Sequence, residues 1–337
     1  GSGKWERISW DEALTTIADK VLDVATTDGP EAIVYDMGTT NIDFGPGTPA
    51  QFRLMQLVGT TSLDEWASVG DLPMGAIQTW GLFNTDGTSD DYCNSDYIVI
   101  WLGNPAYTRI PDVHFMLESR YRGAQVVVIA PDYNPSTMHA DLWVNLRVAT
   151  DAAFALGVAK VMIDENSYRP DYVKEQTDLP FLVREDDARF LRESDLKEGG
   201  SESTFYFWDL RTGKLAEAPG SQAHPVASLK LEGADPALKG RFEVTLKNGA
   251  KLTVRPVWER LCDELKDYTP ERVQAITGVH ADTVRKFARD FAGAKAASIF
   301  ASWGACKHYH MDLFQRSIIL ISAMAGHTGK QGGGLRI

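Results

Sequence analysis

The chain has 337 residues, 44% of them hydrophobic, which is enough to bury one large core or two and is unlike a disordered segment. With 34 Lys and Arg against 46 Asp and Glu, the net charge of −12 argues against a nucleic-acid or anionic-membrane surface as partner. Cys93, Cys262 and Cys306 never approach CxxC spacing, so this chain alone builds neither a zinc knuckle nor an iron–sulfur site, and its cysteines are expected as unbridged thiols.

The N-terminal GSGKWERISW lacks the charged-then-apolar pattern of a secretory signal. Ser9 followed by Glu12 has capping-box spacing, and Leu14, Ile17, Ala18, Val21, Leu22 and Val24 recur at helical intervals. An amphipathic helix ending near Asp28 and Gly29 is predicted. Ala32 to Met37 reads as a short buried strand running into Gly38, Thr39, Thr40 and Asn41, and Pro49 to Val58 as a helix. Tyr97 to Leu102 is a continuous β-rich run broken by Gly103, Asn104 and Pro105; Pro111 to Arg122 is helical; Gln125 to Ala130 is a second apolar run ending in Asp132. Strand, turn, helix and strand in this order predict a parallel doubly wound topology. A helix over Asp151 to Ile163, opened by Thr150 or Asp151, closes this half.

From about 166 to 251 the texture changes to mixed charge with few apolar periods. Phe205 to Trp208, followed by Arg211, Thr212 and Gly213, predicts a strand and turn, and Lys247, Asn248 and Gly249 predict a hairpin with a type I′ turn. Beyond this β-rich insertion, Val257 to Tyr268 is helical, Thr269 and Pro270 open a short helix, and Ala281 to Phe291 forms another. Ala297 to Ala301 is a strand and Met311 to Ala325 an apolar helix, whose uncharged run from Ser317 is too short to span a bilayer. The expected fold class is α/β, with two doubly wound domains, mostly parallel sheets and a β-rich insertion. The expected boundaries are 1–60, 61–165, 166–255 and 256–337.

A loop that follows a parallel strand is where α/β folds bind dinucleotides, because the next helix directs its open N–H groups at phosphate. Gly103 and Asn104, then Asp132, then Thr150 and Asp151, then Ser302, Trp303 and Gly304 occupy such loops. No GxGxxG or GxxxxGK[ST] follows a strand, and no GxSxG elbow occurs, which disfavours NAD, FAD, ATP and α/β-hydrolase readings. Asp71, in GDLPMGAIQTWG, is a lone carboxylate in an apolar, Gly- and Pro-punctuated loop, costly unless solvated, paired or bound to a metal. Spacing alone fits a turn start before Leu72 and Pro73 as well, and Asp64, Glu65 and Asp86 are neighbouring carboxylates. CKHYHMD sets Lys307, His308, His310 and Asp312 within one or two turns; His308 and Asp312 share a helix face, as in a two-ligand metal site lacking its third ligand or in ordinary hydrogen-bonded packing. Trp66, Trp80, Phe83 and Trp303 fit a pocket lining or plain core, Thr39, Thr40 and Asn41 fit a substrate channel, and His114 fits a core histidine. Gly326 to Gly334 fits a flexible turn or a Gly-rich segment lying against a ligand.

Three stretches in this order, Gly70 to Gly81, Ile98 to Phe115 and Ser302 to Gly334, resemble the catalytic subunit of the molybdenum enzymes of the dimethyl sulfoxide reductase family. The resemblance is to the branch of nitrate, selenate and chlorate reductases, dimethyl sulfide dehydrogenase and ethylbenzene dehydrogenase. It implies that Asp71 ligates molybdenum, a hard ion in its high oxidation states that favours oxygen donors beside the dithiolene sulfurs. It also implies a bis(molybdopterin guanine dinucleotide) cofactor touching Trp80, Gly81, Gly103, Asn104, Asp132, Thr150, Asp151, Ser302, Trp303, Gly304, Gly326 and Gly329. Lys307 and His310 become catalytic groups near the metal's open face. In such enzymes a [4Fe-4S] cluster is expected only in an N-terminal domain outside this chain, whose two ends look cut from something longer. Expected partners are an iron–sulfur electron-transfer subunit, a b-haem subunit and a small-molecule substrate, with no nucleic acid and no membrane insertion; the periplasm is the favoured compartment. The spacing of Trp66 to Asp71 and the Lys307-His308 pair lean towards dimethyl sulfide or hydrocarbon dehydrogenases, with nitrate, selenate or chlorate reduction as the alternative. A scaffold subunit of the same fold is a further alternative, against which Asp71 counts.

Overall fold

The computed structural model describes residues 3–36, 47–63, 73–81, 87–218 and 231–336, and the chain divides into two units, Gly1–Leu72 and Pro73–Ile337. In the first unit, α1 (Trp10–Thr27) starts where the capping spacing predicts, with the Ser9 hydroxyl accepting from the Glu12 amide at 3.1 Å. The helix buries none of its residues among those described, and Leu14, Ile17 and Leu22 lie open along its apolar stripe. β1 (Val34–Tyr35) pairs in parallel with β2 (Thr61–Ser62) around the intervening α2 (Gly47–Val58). The strand starts later than predicted because Pro30–Ala32 forms a 3-10 turn after Gly29 at φ 94°.

In the second unit, α3 (Met74–Trp80) precedes β3 (Tyr97–Trp101), α4 (Pro105–Thr108), α5 (Ile110–Tyr121), β4 (Gln125–Ile129), β5 (Leu142–Val144), α6 (Asp151–Asp164) and α7 (Pro170–Gln176). The insertion holds β6 (Leu182–Arg184), α8 (Glu193–Leu196), β7 (Tyr206–Asp209), β8 (Lys214–Glu217), β9 (Phe242–Thr245) and β10 (Lys251–Pro256). The core resumes with α9 (Val257–Glu264), α10 (Pro270–Thr277), α11 (Ala281–Gly293), β11 (Ala297–Ala301), α12 (Met311–Met324) and β12 (Gly334–Arg336).

Five strands form one sheet in the order β12-β11-β3-β4-β5, parallel at every pairing, with Ile299 opposite Val99 and Val99 opposite Val127. Every residue of β3 and β11 is buried, as strands covered by helices on both faces require, and the one polar side chain of β11, Ser298, meets the Ser95 hydroxyl at 3.1 Å. On one face Phe154 and Val158 of α6, Phe287 and Phe291 of α11, and Phe314 and Ile318 of α12 pack around Val99 and Trp101. On the other, Met116 of α5 packs with Ile98 and Val128. The chain runs outward from β3 through β4 and β5 on one side, whereas β11 and β12 extend the sheet on the other. Strand order therefore reverses between β3 and β11.

The insertion pairs β6, β10 and β9 antiparallel, and β7 with β8 as a hairpin. The β9–β10 turn is not type I′. Lys247 and Asn248 stay out of the left-handed region and only Gly249 enters it, at φ 80°, with its N–H donating to Leu246 O at 2.9 Å. The longer connection has room for an ordinary turn followed by a left-handed glycine, which also reverses twisted strands. His114 is exposed on α5, turned away from its buried neighbours Val113 and Met116. Among the described residues, the fully buried histidine is His327.

Candidate functional site

A reversal of strand order in a parallel sheet opens a crevice at the carboxyl ends of the two strands beside it. After β3 the backbone turns through Leu102 at φ 52° into Gly103. A Cβ on Gly103 would stand 2.8 Å from Phe300 Cε1 and 2.9 Å from Ser302 Cβ, so the loop after β3 meets the end of β11 only because residue 103 has no side chain. Asn104 then ties this loop to the one after β4, its side-chain oxygen accepting from the Ser136 hydroxyl at 2.8 Å and the Ser136 amide at 3.2 Å. Asp132 is exposed in that second loop.

After β11, Ser302 is half-buried and leads into a 3-10 turn over Trp303–Cys306, where a Cβ on Gly304 would stand 3.1 Å from Leu102 O. Lys307, His308, Tyr309 and His310 follow, all exposed. His310 stands before α12 in the left-handed region, at φ 59° and ψ 30°, without a side-chain capping bond.

Asp151 opens α6 at this same end of the sheet and is 2% exposed. One carboxylate oxygen accepts from the Trp101 indole N–H at 2.8 Å; the other, Oδ2, is buried with no hydrogen-bond partner among the described residues. Burial pushes its pKa up, against the opposing pull of the indole bond, its own amide and the charge of His308. Just before it, the Thr150 hydroxyl donates to Arg147 O at 2.6 Å and Ala149 sits at φ 64°. Leu102, Ala149 and His310 are thus non-glycine residues held left-handed in three different loops at one end of the sheet. Such conformations are strained and persist where the surroundings impose them, most often at functional sites.

The structure brings Gly103, Asn104, Asp132, Thr150, Asp151, Ser302, Trp303, Gly304, Lys307 and His310 to the carboxyl ends of the strands. Gly326 and Gly329 lie at the opposite, amino end. Gly326, at φ 70°, terminates α12 with its N–H on Ala323 O at 3.0 Å and the His327 N–H on Ser322 O at 2.9 Å, a Schellman exit. The Gly-rich run then enters the buried β12 instead of forming a loose tail. Trp80 and Gly81 close α3, and Trp80 lines a cleft of ≈ 830 Å³ between α3, α7 and α12. Asp71, its neighbours Asp64, Glu65, Trp66, Phe83 and Asp86, and Thr39, Thr40 and Asn41 lie outside the described residues.

Sequence reasoning missed the strained Leu102 and Ala149, whose conformation has no composition signal, and it missed Gln315. That side chain, buried in the apolar α12, accepts from the Gly75 amide at 2.8 Å and donates to Cys306 Sγ at 3.2 Å. A glutamine among Phe314, Ser317 and Ile318 was the available sign. Among the described residues, no group of three or more His, Cys, Asp or Glu could hold a metal ion.

Comparison with known proteins matches the chain, over residues 1–337, to the family model described as Molybdopterin oxidoreductase. It is 45% identical to the chlorate reductase subunit alpha of Ideonella dechloratans, over 98% of this chain and 35% of that protein. It is 40% identical to the dimethylsulfide dehydrogenase subunit alpha of Rhodovulum sulfidophilum, over 99% and 36%, and 39% identical to the respiratory nitrate reductase subunit alpha of Haloferax mediterranei, over 99% and 35%. The chain spans about a third of the length of these curated relatives. Among solved structures, acetylene hydratase from Pelobacter acetylenicus superposes with a TM-score of 0.56 at 20% identity, over 98% of this chain and 35% of that one, a likeness of fold.

Proposed function

The chain belongs to the molybdopterin oxidoreductase family, and on that premise we propose that it is the catalytic core of an enzyme holding molybdenum through a bis(molybdopterin guanine dinucleotide) cofactor. The observation that carries the reading is the carboxyl face of the strand switch, where three strained loops meet and a buried carboxylate oxygen of Asp151 has no donor among the described residues. An acceptor left open at such a face suits a ligand that carries N–H groups, as a guanine base does. These residues fit the group in kind: Gly103 and Gly304 allow close backbone approach, Asn104 is clamped by Ser136, and Asp132 and Asp151 offer carboxylates.

When bound, the group supplies two-electron oxygen-atom transfer or hydroxylation with oxygen from water, coupled to electron transfer. Asp71 would give the protein's one oxygen ligand and so set the metal's geometry. Lys307 and His310, exposed at the same strand ends as the cofactor loops, would orient a substrate oxygen and hold positive charge where negative charge develops. An iron–sulfur subunit, with a b-haem subunit beyond it, would carry electrons, and the periplasm is the compartment this family likeness favours. Oxyanion reduction and sulfide or hydrocarbon oxidation both suit this site, and relatives named for each direction match at 45% and 40% identity.

The test is elemental and spectroscopic. The purified holoenzyme should carry about one molybdenum per chain. Asp71→Ala should lose turnover with an altered Mo(V) resonance while the fold persists; a holoenzyme without molybdenum, or an unchanged resonance in Asp71→Ala, refutes the reading. A panel of chlorate, nitrate, selenate, dimethyl sulfide and ethylbenzene then fixes the direction.

A further inference from the structure

The helix α12 is apolar on two faces. Phe314, Ile318 and Ile321 set the first into the core beneath the parallel sheet. Leu313, Leu320 and Ala323, with Arg316 among them, recur at helical intervals along the second, which lines the cleft of ≈ 830 Å³. A helix apolar all round belongs in an interior, yet Leu313 is 49% exposed and Leu320 and Ala323 are only half-buried. Leu156 of α6, Leu261 of α9, and Phe181 and Phe207 of the insertion extend the apolar lining.

Two opposite charges belong to the same lining. Asp178, two residues beyond α7, and Arg316 are both exposed, and among the described residues neither side chain is in an ion pair with any other. They stand near enough for the Arg316 charge to oppose the upward push that burial gives the Asp178 pKa. Of the remaining charges in the lining, Lys174 is already held by Asp235 at 2.5 Å, and Glu175 is exposed on α7. The uncommitted groups are therefore one guanidinium and a carboxylate side, which together call for a ligand carrying both an anion and a cation. A cavity of this size encloses a small molecule, held by apolar walls and oriented by a few polar groups.

We propose that this cleft binds a small zwitterion with an apolar body, of the amino-acid class, its carboxylate on Arg316, its ammonium on Asp178 and its side chain against Leu320 and Ala323. Titration calorimetry of the purified holoenzyme with L-leucine and L-phenylalanine should show saturable binding at about one site per chain, with a Kd of about a millimolar or tighter. Leucinamide lacks the carboxylate and N-acetyl-leucine lacks the ammonium, and each should bind about ten-fold more weakly than leucine. Arg316→Gln should cost leucine about ten-fold and leucinamide little, whereas Asp178→Asn should cost leucine about ten-fold and N-acetyl-leucine little. Loss of folding cannot imitate that crossed pattern. Where either variant fails to accumulate, the ligand series on the wild-type enzyme decides. No saturable binding of either amino acid to the holoenzyme up to about 10 mM overturns the inference, whatever else fills the cleft. Equal affinity for leucine, leucinamide and N-acetyl-leucine overturns it too. Because Trp80 also lines the cleft, binding confined to cofactor-free protein would return the cleft to the cofactor and overturn the inference as well.

Discussion

The two ends of the parallel sheet are built to opposite specifications. At the amino end, Asp96 accepts from the Lys295 and Ala296 amides at 3.0 and 2.7 Å, and the Ser95 hydroxyl donates to Gly332 O at 2.6 Å. Asp91 accepts from the Gly332 amide there, and Arg336, buried at the last position of β12 opposite Phe300, reaches Asp91 at 2.6 Å and lies over the Tyr92 ring at 4.0 Å. His327 Nδ1 accepts from the Ala297 amide at 3.4 Å while Nε2 donates to Phe291 O at 2.8 Å, which fixes a neutral tautomer. At the carboxyl end stand three left-handed non-glycine residues, an Asp151 carboxylate oxygen with no hydrogen-bond partner among the described residues, and the exposed side chains of Lys307 to His310. The difference teaches a division of labour. One end ties the strand starts together with paired side chains, and the other gathers left-handed residues in three loops around a buried carboxylate.

The largest effect expected from breaking that division is Gly332→Ala. Its Cβ, at φ 70°, would stand 2.3 Å from the Asn94 carbonyl carbon and oxygen, backbone atoms that cannot yield cheaply. A loss of about 3 kcal/mol or more in urea unfolding should follow. Gly103→Ala at the other end meets mainly the Phe300 and Ser302 side chains and should cost only about 1–2 kcal/mol. Equal losses at the two positions would erase the distinction. Next comes Arg336→Met, which leaves Asp91 without its cation and should cost about 2–3 kcal/mol. Burial alone would raise the Asp91 pKa, but Asn94, the Gly332 amide and Arg336 together hold it below its ordinary value. Its contribution is therefore full above 3.8 and lost as pH falls through the lower folded value, and Arg336→Met should flatten that acid loss.

A smaller effect tests the amino end by proton linkage. Burial pushes the His327 pKa below its ordinary 6.5, with the Lys330 and Arg169 charges acting the same way and the Phe291 carbonyl opposing. Below pH 6.5 the unfolded chain binds the proton more readily than the folded one, so stability is full above 6.5 and declines as pH falls. His327→Gln should cost about 1–2 kcal/mol at pH 8 and remove this decline. A slope that survives the substitution would assign it elsewhere.

What the sequence made legible follows from where each element gets its stability. β3, β11, α6, α11 and α12 carry their own apolar pattern and lie within a residue or two of the predicted spans. β5 and β12 are three residues long and exist because a neighbouring strand offers an edge, so no local period announces them. The Gly-rich run from Gly326 read as loose because glycine is permissive, yet its packing against Asn94 and Ser95 depends on residues more than 200 positions away. At the site, topology made the strand-end loops readable, since any parallel switch point places them together. The left-handed backbone at Leu102 and Ala149 and the tie from Gln315 to Gly75, 240 residues apart in the chain, are tertiary impositions that no short window contains.

The smallest effect is also the one that reverses sign between the two ends. Burial raises the Asp151 pKa above 3.8, so the folded chain binds this proton more tightly than the unfolded one and stability falls as pH rises from 3.8 through the folded value. This is opposite to the slopes of Asp91 and His327. Asp151→Asn keeps an acceptor for the Trp101 indole and removes the titration, so the chain should gain about 1 kcal/mol or less at pH 7 and lose that part of its pH slope. The same substitution should weaken cofactor retention in the holoenzyme, because the open carboxylate oxygen becomes an amide donor. A variant destabilised at pH 7 would mean that Asp151, like Asp91 at the amino end, serves the fold, and the contrast between the two ends would then rest on backbone strain alone.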